Sequence, residues 1–102
     1  MDEMMHALSR YPNGTYIKVE WESVGLVLGG LLETIFQTDN GMPEALSTFF
    51  EYYAAVFRIK DILKNESGNT YDSNMIMELS MVAAPSKISL EDGTVIWQPQ
   101  AG

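Results

Sequence analysis

From Thr15 the chain alternates: Ile17, Val19 and Trp21 point one way while Lys18, Glu20 and Glu22 point the other. A period of two is the mark of a half-buried strand. After Ser23 the alternation gives way to a segment, Val24 to Thr38, that is apolar on both faces, with Leu26, Leu28 and Leu32 on one and Val27, Leu31 and Ile35 on the other. A strand apolar on both sides belongs in the middle of a sheet or must curve strongly. Gly25, Gly29 and Gly30 interrupt this run, and glycine inside a strand marks a bulge, a bend or the close approach of another backbone. A phosphate-cradling loop would need its glycines between a strand and a helix at nucleotide-motif spacing, which these lack. The two segments together predict a mainly β fold: a small five-stranded curved sheet or a barrel.

The remaining segments fit around that sheet. Asp2 to Arg10 reads as a short helix, capped by Asp2 and carrying Met4, Met5 and Leu8 on one side. Tyr11-Pro12-Asn13-Gly14 stops it with a turn. After the loop Thr38-Asp39-Asn40-Gly41 comes a segment with two readings, Pro43 to Lys64. As a helix it would place Leu46, Phe49, Phe50, Tyr53 and Phe57 on one face, but Lys60 and Lys64 then fall on that same apolar side. As a strand it is dense in aromatic and β-branched residues, and Phe57 and Ile59 alternate with Arg58 and Lys60. The pattern favours a loop or one or two helical turns from Pro43 to Phe50 and a strand from Glu51 to Leu63; an α+β fold with a helix at 43–64 is the alternative. Beyond a polar loop at Asn65 to Asn74, the residues Met75, Met77, Leu79 and Met81 mark one face of another strand, and Glu91-Asp92-Gly93 joins Lys87 to Leu90 with Thr94 to Trp97 in a hairpin. A short helix followed by this succession of strands resembles the small SH3-like or Sm-like barrels in broad architecture; the resemblance is one of element order and implies no site.

A chain of 102 residues has room for one core, so residues 1–102 are expected to form a single domain. Fourteen acidic residues against six basic ones give a net charge of −8, which repels nucleic acid and anionic membranes and suits a basic or neutral partner. There is no cysteine, hence no disulfide framework, zinc-thiolate site or thiol nucleophile, and the cytoplasm is the expected location. The longest uncharged apolar run, Val24 to Leu32, is far short of the ~20 residues that span a bilayer.

Catalytic constellations are scarce. The one histidine, His6, sits near the amino end, where no orienting partner or pocket is expected. Glu20 and Glu22 on one strand face, with Glu33, Glu51 and Glu78, are the carboxylates from which acid-base chemistry could be built. Asp39-Asn40 and Asp72-Ser73-Asn74 carry oxygen ligands without the rest of a calcium loop, so turn chemistry accounts for them. No catalytic, cofactor or metal site is therefore assigned.

Surplus apolar surface carries more information. Phe49, Phe50, Tyr52 and Tyr53 are nearly contiguous, and the two faces of a strand cannot both meet one core. These four residues are the expected interface of a small acidic, non-enzymatic protein-interaction or homo-oligomeric assembly module, joined to itself or to a protein partner. Two alternatives stay open: a small barrel binding nucleic acid through Arg58 and Lys60, and a carboxylate-based enzyme or small-ligand binder.

Overall fold

In a computed structural model, which describes residues 1–99, the side chain of Asp2 accepts a hydrogen bond from Met5 N at 2.8 Å and so starts helix α1, Glu3–Ser9. Six strands follow: β1 Tyr16–Trp21, β2 Leu26–Asp39, β3 Glu51–Asn65, β4 Ile76–Leu79, β5 Lys87–Leu90 and β6 Val95–Trp97. All pair antiparallel in one sheet of order β4-β3-β2-β1-β5-β6. Met4, Met5 and Leu8 of α1 are fully buried against the concave face, in one cluster with Ile17, Val19, Leu28, Leu32, Phe57, Ile59, Ile88 and Trp97. Among the described residues no helix is long and apolar enough to cross a membrane.

The mainly β expectation holds, and the curved sheet is the form it takes. The sheet has six strands rather than five, since every segment read as extended forms a strand of its own, both arms of the Asp92-Gly93 hairpin included; Gly93 has φ +94° and Leu90 N donates to Thr94 O at 2.8 Å. The barrel does not close: strands of only four and three residues, β4 and β6, end the sheet on either side, and α1 packs across β2, β3 and β6. The alternative helix at 43–64 is absent. Residues 43–49 make two successive turns, Leu46 N to Pro43 O and Phe49 N to Leu46 O, both at 3.0 Å, and strand takes over at Glu51. Burial decides this, since an extended chain sends Ala55, Phe57 and Ile59 to the core while Lys60 and Lys64 stay out of it.

The glycines act as the run of apolar residues requires. Gly25 (φ +64°) closes a single helical turn, Glu22–Val24, so β2 begins at Leu26 rather than at Val24. β2 and β3 are out of step at three places, between Val27 and Leu28, between Gly29 and Gly30, and between Leu32 and Ile35. Such bulges bend and twist the pair. A Cβ on Gly30 would collide with the carbonyl oxygen of Arg58, so the two backbones meet there closer than any side chain allows. A Cβ on Gly29 would collide with the hydroxyl of Tyr16, whose ring lies across β2 to donate to Asp61 Oδ2 on β3 at 2.7 Å. The third bulge has the largest consequence: Ile35, read from the sequence as facing away from Leu32, lies opposite Ala55 and packs on the core, while Phe36 turns to the outer face.

Candidate interaction surface

β2 and β3 outrun their neighbours. β1 pairs with β2 as far as Leu31, and β4 pairs with β3 from Ala55 to Arg58, so among the described residues Phe36–Asp39 and Glu51–Ala54 have only each other as strand partners. This free ribbon and its loop, residues 40–50, help give a long axis of 43 Å and a radius of gyration of 14.0 Å, against about 13 Å for a compact chain of about 100 residues.

The ribbon divides the four predicted aromatic residues. Tyr53, opposite Gln37, turns inward and packs against the core, and Phe49 is half-buried at the end of the loop. Tyr52, opposite Thr38, turns to the outer face, where its ring and that of Phe50 lie 5.9 Å apart at 44°. Phe50 is 47% exposed. The register puts Phe36 on the same outer face as Tyr52, a residue the sequence reading did not select. Its signal was hidden by the bulge after Leu32, which exchanges the faces of everything beyond it.

One side chain holds the loop in shape. Asn40 donates through Nδ2 to Thr48 O at 2.8 Å, and its Oδ1 accepts from Met42 N at 3.3 Å and from Phe50 N at 3.4 Å. Its own backbone N donates to Phe50 O at 3.2 Å. Asp39 Oδ1 in turn accepts from Gly41 N at 2.8 Å. Asp39 and Asn40 thus do the turn chemistry expected of them, and Phe50 is fixed rather than loose.

The charge here has one sign. Between Lys18 and Arg58 the chain has no lysine or arginine but carries Glu20, Glu22, Glu33, Asp39, Glu44 and Glu51. Asp39 and Glu51 face each other directly across the end of the ribbon, an arrangement that like charges disfavour. Tyr52 Oη donates to Glu78 Oε1 at 3.3 Å, and partial burial followed by the nearby Glu78 carboxylate pushes the phenol pKa up.

Other candidates fall into place elsewhere. Arg58 is ion-paired with Glu33 at 3.2 Å, and Lys60 Nζ donates to Asn74 Oδ1 at 2.7 Å. Glu20 pairs with Lys87 at 3.1 Å, whereas Glu22 lies in the turn beyond β1, so the two do not share a strand face. His6 is exposed on α1. Of the methionine stripe only Met77 packs against the core beside Leu79; Met75 and Met81 are exposed beyond the two ends of β4, and their chain neighbours Ile76 and Val82 are exposed as well. Among the described residues a cleft of about 570 Å³, open to solvent, is lined by Trp21, Glu22, Ser23, Ala84, Pro85, Ser86 and Pro99. No group of three or more histidine, aspartate or glutamate side chains among the described residues is placed to hold a metal ion.

The sheet is open, and its β2–β3 ribbon carries aromatic rings and carboxylates beyond the reach of the neighbouring strands. The family model described as "Cognate immunity protein YxxD" matches residues 1–101, and the chain belongs to that family. Comparison with curated proteins and with solved structures gives no significant match.

Proposed function

We propose that this chain is a non-enzymatic inhibitor that neutralises one cognate protein toxin by binding it, and that, of the four aromatic residues Phe49, Phe50, Tyr52 and Tyr53, the outward-facing Phe50 and Tyr52 anchor the contact. Membership in a family of cognate immunity proteins, matched over residues 1–101, carries this reading. The ribbon supports it: Phe50 is presented to solvent with its position set by Asn40, and large exposed aromatic residues are the usual anchors of protein interfaces. Of the carboxylates from which an enzyme might be built, Glu20 and Glu33 are engaged in ion pairs on the outer face. A cysteine-free chain suits work in the cytoplasm.

Co-expression with the cognate toxin tests this directly. The chain restores growth, co-purifies with the toxin, and protects only when supplied in at least equal amount. Protection by a small fraction of an equivalent, with no stable complex, would contradict it in favour of catalysis on the toxin.

A further inference from the structure

Phe36, Phe50 and Tyr52 occupy a sheet face that neither α1 nor a neighbouring strand covers. Glu78 stands on the same outer face and accepts from Tyr52 Oη at 3.3 Å; at the ribbon end Asp39 and Glu51 are set against one another on the opposite face and Glu44 lies in the loop, with no basic residue in the chain between Lys18 and Arg58. Facing like charges cost stability, and a cationic surface laid on the ribbon end would relieve that cost. The tilted rings of Phe50 and Tyr52 offer faces on which a guanidinium or ammonium group can sit. The same carboxylates repel polyphosphate, so nucleic acid does not fit here.

Resting on the toxin-binding reading, we infer that this acidic ribbon docks a basic patch of the toxin, with an arginine or lysine side chain seated on the Phe50 and Tyr52 rings beside Glu78. Charge then sets the rate of association and the aromatic anchor sets the lifetime of the complex.

The test measures binding kinetics of the full chain to the purified toxin between about 0.05 and 0.5 M salt. Asp39→Asn/Glu44→Gln/Glu51→Gln is expected to slow association about tenfold at low salt and to match the wild type at high salt. It should melt no lower than the wild type, because it removes repulsion, so a slower rate cannot come from unfolding. Phe50→Ala is expected to speed dissociation about 10- to 100-fold. A triple variant with wild-type kinetics and salt dependence would overturn the inference while leaving toxin binding intact. A wild-type chain that does not bind the toxin overturns both. A wild-type dimer in sedimentation that Phe50→Ala returns to monomer would assign the face to a second copy, and overturns it as well.

Discussion

Gly29, Gly30 and Tyr16 show how single residues shape this sheet. Gly30 has a backbone carbonyl where a Cβ would go, and main chain in a strand pair has nowhere to move. Gly30→Ala should therefore cost about 3 kcal/mol or more, at the upper end of overpacking effects, read from denaturant unfolding. Gly29 is opposed only by the far end of the Tyr16 side chain, which can swing away, so Gly29→Ala should cost about 1 kcal/mol and release the phenol. Burial first, and then the hydrogen bond to Asp61, hold the Tyr16 pKa up at about 12, against an ordinary value of 10.0. The folded state keeps a proton that the unfolded state releases, so this contribution to stability is complete below pH 10 and is lost as pH rises toward 12. Tyr16→Phe should flatten that alkaline limb in pH-dependent melts, leaving the smaller part due to Tyr52; an unchanged limb would show that Tyr16 does not carry it. The need for glycine was legible in the sequence, because few residues interrupt an apolar strand without a reason. The identity of the neighbour was not, since Tyr16 and Asp61 are 45 residues apart.

Among the elements, α1, the alternating β1 and the Asp92-Gly93 hairpin could be read from local pattern because their signals are local: a capping side chain, a period of two, a turn that tolerates positive φ. The β2–β3 ribbon was legible in part. Its strands and the loop between them followed from composition, but bulges arise from pairing, and a bulge after Leu32 is enough to move Ile35 inward and Phe36 outward. Asn40 was read as a turn residue, whereas it ties together both ends of an eleven-residue loop, residues 40–50. Asn40→Ala should leave the melting temperature nearly unchanged, because the loop contributes nothing to the buried core. It should speed amide exchange at Met42 and Phe50 and weaken toxin binding by about tenfold through lost preorganisation. Unaltered exchange at both amides would mean that the loop is shaped by something else.

Taken together, the molecule separates stability from recognition. One face of the sheet is spent on the core, where Phe57 is wholly enclosed and its replacement by alanine should cost about 3–5 kcal/mol. Beyond Leu32 the outer face carries Phe36 and Tyr52, tied to β4 by the Tyr52–Glu78 hydrogen bond. The net charge of −8 suits a partner of basic or neutral character, but the partner itself could not be read from composition, because the aromatic and acidic side chains of the ribbon have no spacing of their own. Hydrogen exchange of the chain alone and in its complex with the cognate toxin puts the arrangement to its hardest trial. Slowed exchange should cover residues 36–53, the ribbon and its loop, and leave α1 and the β5–β6 hairpin as they are. Protection confined to β4 and residues 81–82, with the ribbon unaffected, would place the toxin on the exposed apolar side chains there and contradict the ribbon as the binding surface.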